Sequence, residues 1–171
     1  MDAILYTTNT GSTERYAKLL SEATSLPAYS LADGKRIVPR GARIIYLGWI
    51  MAGSIRGFGD AAKRYDIRAV CGVGVWQTGT QTAEVRKKTP VPTGIPLFTL
   101  QGGFDVNKLT GIYRPAMELL SKAVVKGLSE KSDSTPAEDD MLDMMLHGGD
   151  RVRWENLGEV LEWFKKQEMG V

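Results

Sequence analysis

Short apolar segments alternate with amphipathic ones along this chain, and the alternation limits the folds open to it. A short apolar run that ends in a polar turn is typical of a strand buried on both faces. Apolar residues at helical spacing indicate a helix with one buried side. Strands that alternate with helices favour a parallel sheet with right-handed crossovers and helices on both faces. We therefore predict an α/β fold with a doubly wound parallel sheet.

The individual segments follow from the same patterns. The predicted strands span residues 3–7, 27–31, 42–48, 68–76 and 96–101. The predicted helices span residues 14–23, 57–65, 112–128, 136–147 and 155–168. A turn is predicted at Asp33-Gly34 and a polar loop over residues 77–82. With 171 residues the chain suits one well-buried domain, which we predict over residues 1–171.

Composition and charge exclude several classes of protein. Twenty-two Lys and Arg face twenty Asp and Glu, and this balance argues against a nucleic-acid partner, which needs a clustered positive excess. One cysteine and one histidine exclude an intramolecular disulfide and His-rich or Cys/His zinc sites, and no metal is expected. The amino terminus has no signal-peptide pattern, and the apolar stretch 44–52 is too short to span a membrane. We expect a soluble, cytoplasmic protein without a transmembrane segment.

A dense group of hydroxyls lies between the first predicted strand and the first predicted helix. The segment reads Thr8-Asn9-Thr10-Gly11-Ser12-Thr13. Hydroxyls can donate to phosphate oxygens, Gly11 lets the backbone approach closely, and the following helix directs unpaired N–H groups at the same point. Since the loop contains no Lys or Arg, binding would use neutral donors and the helix dipole. Alternatively, these residues serve only as caps and turn residues.

Other phosphate-binding loops fit the sequence poorly. A Walker loop needs Gly-Lys-Ser/Thr, which is absent, and the dinucleotide fingerprint needs two further glycines after the first strand. Gly72 and Gly74 lie inside a predicted strand, which favours a packing role. Cys71 lies in the middle of the same strand, so it is expected to be a small buried hydrophobe and not a phosphatase nucleophile.

At these residues the chain resembles the flavodoxin-like family, whose phosphate signature for flavin mononucleotide (FMN) is Thr-x-Thr-Gly-x-Thr. Residues 50–53 follow the third predicted strand and residues 76–79 the fourth, where flavodoxins place the two loops that enclose the isoalloxazine ring. Gly102-Gly103-Phe104-Asp105 and His147-Gly148-Gly149-Asp150 are similar to the branch that includes menaquinone-dependent protoporphyrinogen oxidase. The switch point expected for an open parallel sheet supports the same placement, since ligands bind beyond the carboxyl ends of the strands.

The resemblance implies a flavodoxin-like, five-stranded parallel sheet of order 2-1-3-4-5 with extra carboxyl-terminal helices. It implies FMN as cofactor and electron transfer by one- or two-electron steps, with no catalytic residue of the chain assigned. The hydroxyl loop would hold the phosphate, and the two later loops would cover the ring and its pyrimidine edge. The implied cofactor-binding residues are Thr8, Asn9, Thr10, Gly11, Ser12, Thr13, Trp49, Ile50, Met51, Ala52, Gly53, Trp76, Gln77, Thr78, Gly79, Gly102 and Gly103.

Several residues, within the cofactor-binding set and outside it, have two interpretations. Trp49 and Trp76 could stack on the ring or be core aromatics at strand ends. His147 is expected to make a favourable contact at a helix terminus and not to transfer protons. The methionines of the segment 141–145 are expected to pack and not to form a cofactor box.

Three functions remain open at this point. The first is an FMN electron carrier whose partners are redox proteins, either a reductase or an acceptor enzyme. The second is an FMN-dependent oxidoreductase of the protoporphyrinogen oxidase or quinone-coupled type, and the third is an adaptor of the same fold without flavin. The cations Lys108, Arg114, Lys122 and Lys126, predicted on the long helix, either form a solvated face or meet acidic lipid or an anionic substrate. Contact with acidic lipid would make the protein a weak peripheral binder of membranes.

Overall fold

A mostly parallel sheet lies at the centre of the structure, a computed structural model that describes residues 1–105, 108 and 113–170. The strands are β1 (Ala3–Thr7), β2 (Ala28–Ser30), β3 (Arg43–Met51), β4 (Ser54–Ile55), β5 (Asp66–Gly74), β6 (Leu97–Gln101), β7 (Gly103–Phe104) and β8 (Gly149–Asp150). The helices are α1 (Ser12–Thr24), α2 (Leu31–Ile37), α3 (Phe58–Ala62), α4 (Thr82–Lys88), α5 (Tyr113–Ser129), α6 (Pro136–His147) and α7 (Gly158–Glu168). A 3-10 turn at Trp154–Leu157 precedes α7.

Five strands confirm the predicted parallel sheet, although the sheet has six strands in all because β4 joins it. They lie in the order β2-β1-β3-β5-β6, and all four neighbouring pairs are parallel. This corresponds to the predicted order 2-1-3-4-5 and is compatible with a flavodoxin-like doubly wound fold. The short antiparallel strands were not predicted: β4 pairs with the end of β3, and β7 pairs with β8 in a separate ribbon.

Alternate residues of each strand pack on opposite faces of the sheet, because side chains alternate along a strand. Leu5 of β1 and Tyr46 of β3 lie in one core with α2, α3 and α4. Ile4 and Ile45, their neighbours, lie in the other core with α1 and α7. Helices therefore cover both faces, as predicted, and the carboxyl ends of the strands are left as an edge.

Helix α2 replaces the turn that the sequence predicts at Asp33-Gly34. The Ser30 hydroxyl caps it by accepting a hydrogen bond from the Asp33 N–H at 3.1 Å. Glycine has a low helix propensity, so the sequence indicates a turn. The glycine is needed for packing, since a Cβ at Gly34 would lie 2.6 Å from a methyl group of Leu5.

Helix α4 was also missed, because part of it was predicted as the end of a polar loop. Val85 is its one fully buried residue, so its apolar periodicity is too weak to indicate a helix. The prediction for Lys108 was wrong, since this residue precedes α5 and lies outside it. Ile112, predicted as the first residue of the long helix, lies outside the described residues.

Helix α6 begins at Pro136 and ends at His147, as predicted. The Thr135 side chain accepts a hydrogen bond from the Glu138 N–H, the Glu138 carboxylate accepts one from the Thr135 N–H, and Pro136 occupies the first helical position. The last predicted helix, residues 155–168, is divided between the 3-10 turn and α7, and Leu157, Val160 and Phe164 in it are buried. Among the helices of the described residues, none has the length and apolar character needed to cross a membrane.

Cys71 is completely buried in the middle of β5, which confirms its predicted place, and burial raises the pKa of its thiol to about 12 from an ordinary value of 9.0. A raised pKa in the folded state gives stability that is present below the unfolded pKa and is lost as pH rises toward the folded value. Between about pH 8 and about pH 10 we expect the wild-type free energy of unfolding to fall by about 1.4 kcal/mol more than that of a Cys71→Ala variant. Urea unfolding of both proteins at the two pH values measures the difference. An equal loss in both would contradict the assignment to this thiol.

Candidate functional site

The sheet opens into a crevice at the carboxyl ends of β1 and β3. These strands are neighbours, with Thr7 in register with Gly48. From β1 the chain moves through α1 to β2 on one side, and from β3 it moves through α3 to β5 on the other. The two connections diverge, so the edge between them is the topological switch point at which ligands bind in open α/β sheets.

The hydroxyl loop lies at this point, between β1 and α1. Gly11 is the N-cap residue of α1 with φ 96°, a left-handed conformation that favours glycine, and it supplies no side-chain cap. The Thr8 hydroxyl accepts a hydrogen bond from the Gly11 N–H, and the Ser12 hydroxyl accepts one from the Gly103 N–H, both at 3.1 Å. A hydroxyl that accepts still has its own proton to donate. The two bonds therefore fix the oxygens of Thr8 and Ser12 and leave them as donors.

A cavity that is open to solvent begins at this loop, and we call it the switch-point cavity; its space, with the open solvent included, is about 490 Å³. One end is lined by polar residues of the loop, and the remainder is lined mainly by apolar residues from the ends of β3 and β5, from β7 and from α5. The lining residues are Thr8, Asn9, Thr10, Ser12, Thr13, Trp49, Ile50, Val73, Gly74, Val75, Gly103, Phe104, Asp105 and Met117. Asp105 is the only ionisable side chain among these described residues. The cavity thus suits a molecule with a polar end and a flat apolar end.

A second cavity of about 690 Å³ continues from the first, and we call it the apolar groove. It shares Ile50, Gly74, Val75 and Met117 with the switch-point cavity. Its other lining residues are Ala52, Gly53, Trp76, Gln81, Glu84, Lys88, Leu120, Val124, Met141 and Met145. Because the two cavities share a wall, a ligand in one would lie close to the other.

A tight turn between β3 and β4 forms one side of the apolar groove. Ala52 has φ 49° and Gly53 has φ 83°, and two positive φ values in succession are characteristic of a two-residue hairpin turn. The Lys88 ammonium of α4 donates to the Ala52 carbonyl at 3.2 Å. The side chain of Lys88 also covers Gly53, where a Cβ would lie 2.6 Å from its Cδ. Helix α4 therefore holds this turn in place.

The structure places eleven of the seventeen residues predicted from the resemblance in these two cavities. The switch-point cavity contains Thr8, Asn9, Thr10, Ser12, Thr13, Trp49, Ile50 and Gly103. The apolar groove contains Ile50, Ala52, Gly53 and Trp76. Trp49 and Trp76 are only half-buried, and each lines a cavity.

The other predicted residues do not line either cavity in the described structure. Met51 packs against the small core of Phe104, Met117 and Met144. The loop containing Gln77, Thr78 and Gly79 is bonded to the end of β6: the Thr78 hydroxyl accepts from the Gln101 N–H at 3.0 Å, and the Gly79 N–H donates to the Thr99 carbonyl at 2.9 Å. Gly102 is a packing residue, because a Cβ there would lie 2.8 Å from Val73.

Gly11 lies in a polar depression of about 400 Å³ beside the loop. Two cations that the loop sequence does not contain reach this depression, Arg15 from α1 and Lys108. Each has a carboxylate partner: Arg15 forms an ion pair with Asp150, and Lys108 lies 3.8 Å from Asp105. Partial burial alone would raise the pKa of Asp150, but the bonds from Arg15 and the Val152 N–H outweigh it and lower the pKa.

Sequence reasoning missed most of the apolar lining of the switch-point cavity. The end of β5 could have been found, since Val73, Gly74 and Val75 occupy the carboxyl end of the strand beside β3. Met117 had no such signal, because it comes from α5, which folds back over the edge. Met141 and Met144 are buried, as a packing role requires, whereas Met145 is half-buried and lines the apolar groove together with Met141.

A polar cluster holds α6 against the sheet edge. Asp140 accepts a hydrogen bond from Gln101 of β6 at 2.6 Å and two from Arg151, each at 3.1 Å. His147, at the end of α6, lies 3.0 Å from the carboxylate of Asp143, one turn before it. The cluster fixes the helix that supplies Met141 and Met145 to the apolar groove.

Neither a family of proteins nor a curated protein nor a solved structure matches this chain at a significant level. Within the residues that the structure describes, no group of His, Cys, Asp and Glu side chains could hold a metal ion.

Proposed function

We propose that the protein binds FMN in the switch-point cavity and transfers electrons through it, exchanging them with redox partner proteins. One observation carries this proposal. The switch-point cavity has a hydroxyl-rich helix N-terminus at one end and an apolar wall that includes Trp49 at the other. A phosphate and a flat aromatic ring need these two environments.

The donors at the polar end fit a phosphate. Thr8 and Ser12 have their oxygens fixed by backbone N–H groups, and Thr10 is half-buried in the same wall. The α1 helix has thirteen residues, and the positive end of its dipole lies at Gly11. These residues would bind the phosphate without a cation inside the loop. Arg15 and Lys108 lie beside the loop, each paired with a carboxylate.

The apolar end fits the ring. Trp49 and Phe104 offer aromatic surface, and Ile50, Val73 and Val75 offer aliphatic surface. These side chains would orient the ring and exclude water from one part of it, and the shared wall lets it reach toward Trp76 in the apolar groove. FMN supplies the redox chemistry when bound, accepting one or two electrons, and the protein controls access to it.

The proposal is tested by the flavin content and the flavin affinity of the purified protein. We expect a yellow protein that releases FMN, and an apoprotein that binds FMN about 100-fold more tightly than riboflavin, because charge-assisted hydrogen bonds to the phosphate contribute about 1.5–3 kcal/mol each. Fluorescence titration with both flavins measures the ratio. Equal affinities would contradict the phosphate assignment. A folded protein that binds neither flavin would instead favour an adaptor without cofactor.

The apolar groove favours a second candidate function, an FMN-dependent oxidoreductase of the protoporphyrinogen oxidase or quinone-coupled type. Its wall of Trp76, Leu120, Val124 and methionines, next to the switch-point cavity, would suit a large apolar substrate. The two functions differ in their reactions. Reduction by a pyridine-nucleotide-linked reductase without consumption of porphyrinogen or quinone supports the carrier. Turnover of either compound by the FMN-loaded protein supports the enzyme.

A further inference from the structure

Helices α5 and α6 form an insertion at the carboxyl edge of the sheet. It is bracketed by the antiparallel ribbon of β7 and β8, in which Gly103 is in register with Asp150 and Phe104 with Gly149. Its inner side has a small core of its own, made of Phe104, Met117 and Met144. The insertion thus packs on the site from one side and presents the other side to solvent.

The outer side of α5 carries an apolar stripe. Leu119 is 72% exposed and Leu120 is 36% exposed, whereas Met117 on the opposite side is 9% exposed. Ala116 and Ala123 are also exposed, and their spacing from Leu119 and Leu120 places them on the same face of the helix. The stripe extends to the apolar groove, because Leu120 lines that groove too. A contiguous exposed apolar stripe on a regular helix is a candidate interaction surface.

Positive charge lies beside the stripe. Lys122 and Lys126 are exposed, one turn apart, next to Leu119 on the outer face. The carboxylate of Glu118, at the flank, lies 3.1 Å from Arg114. On α6, Asp139 is exposed, whereas Glu138 pairs with Lys131 and both Asp140 and Asp143 pair with Arg151. The outer face of α5 therefore presents aliphatic side chains beside Lys122 and Lys126, which form no ion pair among the residues described. The exposed carboxylate of Glu130 lies one turn after Lys126.

We propose that this face docks the protein on a membrane surface rich in anionic phospholipid. Aliphatic residues on one side and lysines at the flank are characteristic of a helix that lies in the plane of a lipid interface. Lysines can place their alkyl stems along the apolar layer and their ammonium groups among the phosphates. A protein partner fits less well, because protein interfaces are enriched in aromatic residues and arginine and depleted of lysine. The proposal goes beyond flavin binding and does not depend on it.

The test is co-sedimentation of the 171-residue chain, as purified, with lipid vesicles. We expect binding to vesicles of mixed phosphatidylglycerol and phosphatidylcholine, weakening with added salt, and much weaker binding to phosphatidylcholine alone. A Lys122→Glu/Lys126→Glu variant is expected to bind the mixed vesicles at least about tenfold more weakly. A Leu119→Glu variant is expected to bind more weakly as well, because it places a charge in the stripe.

Matched controls separate this face from the rest of the surface. Lys165→Glu/Lys166→Glu on α7 changes the net charge equally, and Ile37→Glu on α2 replaces another exposed apolar residue, which is 56% exposed. Both are expected to stay within about twofold of wild type. Circular dichroism checks that each variant is folded. If the Lys122→Glu/Lys126→Glu variant does not fold, the Leu119→Glu variant provides the test. Equal losses in variants and controls, adsorption independent of lipid charge, or no vesicle binding would each overturn the proposal. A dimer that Leu119→Glu dissociates, without vesicle binding, would assign the stripe to a second copy of the chain.

Discussion

A Thr10→Asp variant is expected to bind FMN about 100-fold more weakly than the wild-type protein, because its carboxylate would face the proposed phosphate from the polar end of the switch-point cavity. Two negative charges about 5 Å apart at an effective dielectric constant of about 20 repel each other by about 3 kcal/mol. The affinity for riboflavin, which has no phosphate, is expected to fall much less. Titration of the apoprotein with the two flavins measures both changes.

This variant separates binding from folding. A carboxylate next to the N-terminus of α1 interacts favourably with the helix dipole, so the free energy of unfolding should stay the same or increase slightly. Thr10→Asn is the matched control, since it has nearly the same size as the aspartate and keeps neutral donors at position 10. It is expected to retain FMN affinity within about tenfold. If Thr10→Asp and Thr10→Asn weakened FMN equally, the phosphate would not lie at this loop.

The largest expected effect on stability comes from Gly48→Ala. Gly48 is buried near the end of β3, where a Cβ would lie 2.5 Å from a methyl group of Ile55 and 2.6 Å from the backbone carbonyl oxygen of Arg56. A backbone atom cannot move aside without shifting β4, and overpacking of this kind costs about 1–3 kcal/mol or more. We expect a loss near the upper end, about 3 kcal/mol, which lowers the melting temperature by about 6–12 °C in a chain of this size.

Gly59→Ala provides the comparison for this prediction. Gly59 lies within α3, and a Cβ there would meet no atom within 4 Å. Alanine has the higher helix propensity, so this variant is expected to be as stable as wild type or more stable by up to about 1 kcal/mol. Thermal melting of the two variants side by side gives both values. If the Gly48→Ala protein were as stable as the Gly59→Ala protein, Ile55 and Arg56 would not be packed closely against Gly48.

The sheet could be predicted because its strands are buried on both faces. Such strands appear as continuous apolar runs, as in Ile44–Leu47, whatever lies around them. The short elements could not be predicted in this way. Helix α2 depends on the contact between Gly34 and Leu5, and this contact joins residues far apart in the chain. The pairing of β7 with β8 likewise depends on the whole insertion between them.

The candidate site also has one part that could be predicted from the sequence and one part that could not. The position of the hydroxyl loop followed from the local order of strand, turn and helix, which fixes the carboxyl edge. The apolar wall from α5 could not be predicted, because the sequence does not show that Met117 returns to the edge. The resemblance predicts that residues 77–79 contact the cofactor. In the structure this loop is hydrogen-bonded to the end of β6 and does not line the cavity. Its role in cofactor binding stays a prediction.

The first turns of α1 are held by residues that come much later in the chain. Ser12 is bonded to Gly103, Arg15 pairs with Asp150, and the Tyr16 hydroxyl accepts a hydrogen bond from Asn156 at 2.6 Å. During synthesis on the ribosome, the hydroxyl loop emerges well before these three supports. The nascent chain therefore cannot make all three contacts until Asn156 has left the exit tunnel, and a product that terminates before Gly103 would contain the hydroxyl loop without any of them.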